Sequence, residues 1–159
     1  MSERRVRLPA EARDALERVA ALRRSPPVYL VGGAIRDAAL GRPTADVDLA
    51  CAGARSLAAA IARAFKGNLV TLDTENAVYR LVLPPGRKGG LRQIDVAEIL
   101  GDGILEDLAR RDFTVNAVAL ELKAGLPAAV PEKDFLDPRA GLADLARGVL
   151  RVEGDGPFR

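Results

Sequence analysis

Asp46 and Asp48 stand two residues apart in Asp46-Val47-Asp48-Leu49-Ala50, a spacing that puts both carboxylates on one face of a strand and Val47 and Leu49 on the other. Side-by-side acids repel unless a cation lies between them, and the pair suits hard, oxygen-liganded Mg2+ with substrate phosphates completing its shell. An isolated Asp-x-Asp is more often a solvated edge strand with its polar residues facing out. A third acid, Asp95, alternates with Ile94 and Val96. On a neighbouring strand it would complete a metal shell or accept the proton of an attacking hydroxyl, with Glu98 as a competitor.

Val31-Gly32-Gly33-Ala34-Ile35-Arg36-Asp37 sets a glycine pair at a strand-to-helix junction. Backbone amides there can approach an anion closely, the helix start adds partial positive charge, and Arg36 reaches the same space. No Gly-Lys-Ser/Thr follows and no G-x-G-x-x-G is present, so the familiar nucleotide-binding loops do not apply; a tight turn would also need these glycines. In Asp107-Leu108-Ala109-Arg110-Arg111-Asp112-Phe113-Thr114-Val115-Asn116-Ala117 the arginines offer phosphate donors. Asp112 and Asn116, at i and i+4 if the helix continues, offer hydrogen bonds for a sugar. A salt-bridged surface helix accounts for the same residues.

Composition narrows the chemistry further. The 159 residues contain no His and a single Cys, Cys51, which removes imidazole bases, His-metal sites, zinc clusters and disulfides. Carboxylates, hydroxyls, Arg and a metal remain. A net charge of +2 argues against a strongly cationic nucleic-acid coat. With 48% hydrophobic and 29% charged residues, the chain reads as one globular domain. No run approaches the roughly 20 apolar residues that span a bilayer, and the charged start lacks a signal core, so a cytoplasmic location is expected.

The elements that must position these residues follow from periodicity and turn signals. Helices are expected over Pro9–Arg24, Ala34–Leu40 and Arg55–Phe65, the last closed by Lys66-Gly67, with strands at Val28–Val31 and Asp46–Cys51. Asn68–Leu72, Ala77–Leu83 and Leu91–Ala97 read as strands of hairpins, separated by Pro84-Pro85-Gly86 and Gly89-Gly90. Helices at Leu105–Arg111, Phe113–Val118 and Leu142–Ala146 complete the chain. One crossover unit followed by hairpins predicts an α/β (α+β mixed) fold, a mixed, mainly antiparallel sheet flanked by helices.

Together, Val-Gly-Gly-Ala-Ile-Arg-Asp (31–37), Gly-Arg-Pro-Thr-Ala-Asp-Val-Asp-Leu-Ala (41–50) and Arg-Arg-Asp-Phe-Thr-Val-Asn-Ala (110–117) resemble the head-domain motifs of bacterial class II tRNA nucleotidyltransferases. These are the CCA-adding enzymes and their poly(A) polymerase relatives, within the DNA polymerase beta-like nucleotidyltransferase superfamily. Leu-Asp-Pro-Arg-Ala-Gly-Leu-Ala-Asp-Leu (136–145) and the stretch 149–159 continue the likeness. It implies a helix and linker packing on the head at 1–27, a nucleotidyltransferase catalytic head at 28–148 and the start of a truncated neck at 149–159.

By resemblance, an RNA 3′-hydroxyl would attack the α-phosphorus of an NTP, ATP or CTP, and release pyrophosphate with two Mg2+ ions. Gly32 and Gly33 would hold the triphosphate, assisted by Arg36. Asp46 and Asp48 would ligate metal, Asp95 would be the third catalytic and metal-binding carboxylate, and Arg111 would bind phosphates. Asp112 and Asn116 would sit close to the nucleotide. The RNA would be tRNA or another 3′ end, gripped mainly by regions outside these residues, and the product could be CC, A, CCA or a poly(A) tail. A catalytically silent nucleotide-binding module is the rival. The segment Val96–Ala109 is shorter than in many relatives, a His-Gly-Thr-Val-like run is absent around Glu75-Asn76-Ala77-Val78, and the Glu-Asp-x-x-Arg motif that reads the base in relatives is not among these residues.

Overall fold

The computed structural model describes residues 2–86 and 90–152; the expected turn at Gly89-Gly90 and most of the expected neck start at 149–159 lie partly outside them. Its centre is a six-stranded sheet of β2 (Val28–Val31), β3 (Asp46–Cys51), β4 (Asn68–Asp73), β5 (Val78–Val82), β6 (Gln93–Glu98) and β7 (Ala119–Glu121), in the order β4-β5-β6-β3-β2-β7. Only β3 and β6 run parallel. The mixed, mainly antiparallel sheet expected from sequence is found.

The crossover, however, is not the first strand-helix-strand unit. β2 and β3 pair antiparallel, although α2 (Gly33–Ala39) lies between them. The seven-residue helix, about 10 Å long, and the turn at Gly41-Arg42-Pro43 bring the chain back beside β2 in the opposite direction. The parallel connection is instead made by α3 (Ala54–Phe65) and the β4–β5 hairpin, which together deliver β6 alongside β3.

Alternation along the strands divides the sheet into two unlike faces. Val28, Leu30, Val47, Leu49, Leu81, Ile94, Val96 and Leu120 point to one side, where Leu16 and Val19 of α1 (Ala10–Leu22), Ile35 of α2, and Leu57 and Ile61 of α3 cover them. Each such side chain, fully buried, contributes roughly 1.5–3 kcal/mol. On the other side Val31, Ala50 and Ala119 meet Ile104 and Leu108 of α4 (Ile104–Ala109) in a smaller core. The remainder of that face, from β3 to β4, carries Asp46, Asp48, Gln93, Asp95, Arg80 and Val82.

Three short strands are too brief for the sequence to announce. β1 (Arg5–Arg7) pairs antiparallel with β8 (Ala129–Pro131), which makes part of the expected N-terminal linker a paired strand, with Val6 buried in the main core. Three residues cannot display a period. The helix expected over Phe113–Val118 is reduced to a single 3-10 turn, Thr114–Asn116, leading into β7. Phe113 is held extended and bridges Val152.

The glycine expected to close α3 serves differently. Lys66 takes the left-handed turn, with φ 53°, while a Cβ on Gly67 would stand 3.0 Å from the Val82 carbonyl oxygen, so Gly67 permits close approach to β5. Gly141, the first residue of α5 (Gly141–Ala146), is tighter still: a Cβ there would meet the Thr114 carbonyl oxygen at 2.0 Å. Gly141→Ala is expected to cost about 1–3 kcal/mol and lower Tm by about 5 °C; thermal unfolding by circular dichroism checks it, and an unchanged Tm would mean that α5 can slide away.

Candidate active site

The chemistry-bearing residues gather on the half of the second sheet face that α4 leaves open. With Val47 and Leu49 turned into the core, the pleat turns Asp46 and Asp48 outwards, and both are exposed. Asp95 lies opposite Asp48 in the β3–β6 register, and Arg80 lies opposite Asp95 in the β5–β6 register. A single row across three adjacent strands therefore reads Asp48, Asp95, Arg80.

Arg80 donates from Nε to Asp95 Oδ1 and from Nη2 to Asp95 Oδ2, both at 2.8 Å. Sequence reasoning missed this arginine, because the contact depends on the register of a hairpin. It bears directly on the metal site expected over Asp46, Asp48 and Asp95: both oxygens of the third carboxylate are engaged. Among the described residues no three acidic or sulfur ligands converge to hold one ion. Asp46 and Asp48 are the members of the trio left open.

The Asp48 carboxyl is held above its ordinary value, first because protein atoms crowd it out of water and then because Asp95 and Asp46 repel its charge; Arg111 and Arg80 pull the other way. An acid pair short of positive charge, open on one side and built only of oxygen donors, fits a hard divalent cation. Glu98 is not part of it. Its two oxygens accept from the backbone amides of Gly53 (2.8 Å) and Ala54 (2.7 Å) and cap α3, which removes it as a competitor for the third position.

The glycine turn abuts the acids. Gly32 has φ +73°, a conformation that favours glycine, and a Cβ there would lie 3.5 Å from Arg111 Nη1 and 3.7 Å from Asp48 Oδ2. The missing side chain thus leaves a cradle between a cation and a carboxylate. Arg36 folds over Gly33, its Nη2 3.2 Å from where a Cβ would stand. Arg36 also donates to Asp37 Oδ1 and Asn116 Oδ1, each at 3.2 Å.

Arg111 is the best braced of the phosphate candidates. Buried Asp107 accepts from Leu100 N at 2.9 Å and from Arg111 Nη2 at 3.3 Å. Arg139 donates to the Arg111 carbonyl at 2.8 Å and to the Ala109 carbonyl, fastening the end of α4. Arg111 Nε is buried without a hydrogen-bond partner among the described residues. A guanidinium so held and incompletely paired is suited to an anion. Sequence alone assigns no role to Asp107 or Arg139, although both lie inside the motif-bearing stretches 107–117 and 136–145.

Asp112 and Asn116 do not share a helix face, since α4 ends at Ala109. Asn116 faces Arg36 across the cleft, whereas Asp112 is exposed. The structure therefore brings together Gly32, Gly33, Arg36, Asp46, Asp48, Asp95, Arg111 and Asn116, and leaves Asp112 on the rim.

A family model described as the Poly A polymerase head domain matches residues 28–151. A CC-adding tRNA nucleotidyltransferase of Geobacter sulfurreducens is 39% identical over 131 residues, which are 82% of this chain and 28% of the relative. An A-adding tRNA nucleotidyltransferase of Deinococcus radiodurans is 37% identical over 138 residues, 84% of this chain and 27% of the relative. The solved Thermotoga maritima CCA-adding enzyme complexed with tRNA superposes with a TM-score of 0.73 at 33% identity, covering 96% of this chain and 37% of that one. The chain spans little more than a quarter of the length of these curated relatives.

Proposed function

The chain belongs to the Poly A polymerase head-domain family, and from that premise we propose that it is the catalytic head of an RNA nucleotidyltransferase that extends an RNA 3′ end, tRNA first among candidates, from ATP or CTP. The observation that carries this reading is the convergence of Asp46 and Asp48 with the Gly32 cradle and Arg111 on one open sheet face. Near-equal identities to a CC-adding and an A-adding relative, 39% and 37%, do not choose between those products. The reading puts the protein in the cytoplasm; among the described residues no helix is long and apolar enough to cross a membrane.

In the proposed reaction the 3′-oxygen of the RNA forms a bond to the α-phosphorus, the bond from that phosphorus to the bridging oxygen of pyrophosphate breaks, and its electron pair leaves with pyrophosphate. The hydroxyl proton leaves towards the acid row. Asp46 and Asp48 would hold Mg2+, one ion or two, which supplies charge neutralisation and acidifies the attacking hydroxyl. Arg111 and Arg36 bind and orient the triphosphate over the glycine turn, and Asp107 and Arg139 keep Arg111 in place. Asp95, steadied by Arg80, presents a fixed negative charge to the hydroxyl's side of the row.

Calorimetric titration of the chain with ATP and with CTP, with and without Mg2+, tests the reading. Binding is expected to weaken at least about tenfold without the cation, since bound triphosphate and the acid pair then repel. Affinities for the two nucleotides should agree within a few-fold, because the glycine turn and Arg111 address only the triphosphate, which is identical in both. Cation-independent binding would remove the basis of the proposal. Because the RNA is expected to be gripped mainly outside these residues, labelling of an RNA 3′ end is measured with the full-length protein; Mg2+-dependent binding without such labelling would leave only a nucleotide-binding module.

A further inference from the structure

Arg80 has more donors than Asp95 uses. Nε and Nη2 make the two 2.8 Å bonds, and the guanidinium's other terminal nitrogen, Nη1, carries two further N–H groups. The side chain is 34% exposed, so those groups stand at the edge of the open face. Beside Arg80 the same face offers Val70 and Val82, 44% and 42% exposed, on β4 and β5. Two register pairs along, on the same face, Val78 and Ala97 line a cavity of about 260 Å3 with Asn76, Arg110 and Arg111, so it adjoins the proposed phosphate-binding arginine. An apolar floor with polar and cationic edges is the chemistry that receives a nucleoside.

Which nucleoside it receives follows from direction, given the transfer reading above. In an in-line displacement the attacking and leaving oxygens lie on opposite sides of the phosphorus. The leaving pyrophosphate belongs with the glycine turn, which follows β2 on one side of β3. The attacking strand must then come from the other side, across β6 and β5, where Asp95 and Arg80 stand. We infer that Arg80 takes the last phosphodiester of the RNA acceptor on Nη1 while holding Asp95 with Nε and Nη2, so that one side chain fixes both the strand and the carboxylate that its 3′-hydroxyl meets.

A thermodynamic cycle tests this. The dissociation constant of a short RNA acceptor, natural or with its last phosphodiester replaced by an uncharged methylphosphonate, is measured by fluorescence anisotropy with the chain, Mg2+ and a non-hydrolysable NTP. Neutralising the linkage is expected to weaken binding to the parent about tenfold, the worth of a charge-assisted contact. Arg80→Ala should weaken binding of the natural RNA by a similar factor and show no further loss with the methylphosphonate, while NTP affinity stays within twofold. Independent, multiplying losses would overturn the inference. So would a loss of NTP affinity, which would assign Arg80 to the triphosphate, and so would failure of the parent to bind RNA while it still binds Mg2+ and NTP. Failure of that Mg2+-dependent NTP binding would instead sink the transfer reading itself. Should Arg80→Ala not fold, Arg80→Gln, which fills similar space without the charge, takes its place in the cycle, with the same losses expected and the same results overturning the inference.

Discussion

Asp46→Asn combined with Asp48→Asn is expected to cut nucleotide incorporation by the full-length protein about a thousandfold, roughly 4 kcal/mol of transition-state stabilisation, and to leave the fold at least as stable as before. The two halves of this expectation have one cause. Asp48's carboxyl, although its residue is solvent-exposed, is raised above its ordinary value by the protein atoms crowded around it and by repulsion from Asp95 and Asp46, so its ionised form is less favourable in the folded chain than in the unfolded one. That penalty grows as pH rises through the unfolded value and is complete above the folded one. Asn removes it at neutral pH, and in EDTA the variant should melt no lower than the parent. Mg2+ should then raise the parent's Tm, because an ion bound only by the folded state stabilises by mass action, and leave the variant's Tm unchanged. Normal incorporation, or an equal Mg2+ response in both proteins, would take the cation away from this pair.

What sequence could and could not show about the site follows from the range of each interaction. The Asp46/Asp48 face was readable because a strand's period of two is local, and Val47 and Leu49 declare the buried side. The glycine turn and the Arg110-Arg111 run were readable for the same reason, and the family likeness they carried is borne out by the match over residues 28–151. Asp95 on a strand beside the pair was read from the sequence, but its place in a row with Asp48 and Arg80 was not. That row exists only because β6 returns parallel to β3 after some 40 intervening residues and β5 folds back on β6 in one register, and either fact shifted by a residue would turn Asp95 or Arg80 into the core. The error at Phe113–Val118 has the opposite origin. Its residues would accept a helix, but the pairing of Phe113 with Val152 and of Ala119 with β2 imposes extended backbone at both ends, and tertiary pairing outweighs a weak propensity.

Asp144 is unremarkable in the sequence, one acid in a short helix, yet it is the most heavily engaged carboxylate described. Its side chain is 1% exposed. Oδ2 accepts from Thr114 Oγ1 at 2.8 Å and Arg151 Nε at 3.1 Å, and Oδ1 accepts from Arg147 Nη2 at 2.9 Å and Arg151 Nη2 at 3.2 Å. Arg151, then Thr114 and Arg147, hold this carboxyl far below the usual carboxylate range. A depressed folded value means stability that is complete above the unfolded value near 3.8 and is lost as pH falls below it towards the folded one. Asp144→Ala is expected to lower Tm at neutral pH by on the order of 10 °C, because a buried hydroxyl and two guanidiniums lose their acceptor together. Asp144→Asn, which keeps the shape but not the charge, should fall between. Both variants should show a shallower loss of Tm between pH 4 and pH 2 than the parent. The effect should also reach the cleft. Thr114 opens the turn that carries Asn116 to Arg36 and directly follows the Arg111 segment, so slack at Asp144 frees both phosphate arginines at once. NTP affinity of the folded Asp144→Asn variant, measured well below its Tm, should therefore fall several-fold although Asp144 touches no part of the acid row. An unchanged affinity with a lowered Tm would confine Asp144 to stability and show that the turn holds its shape without it.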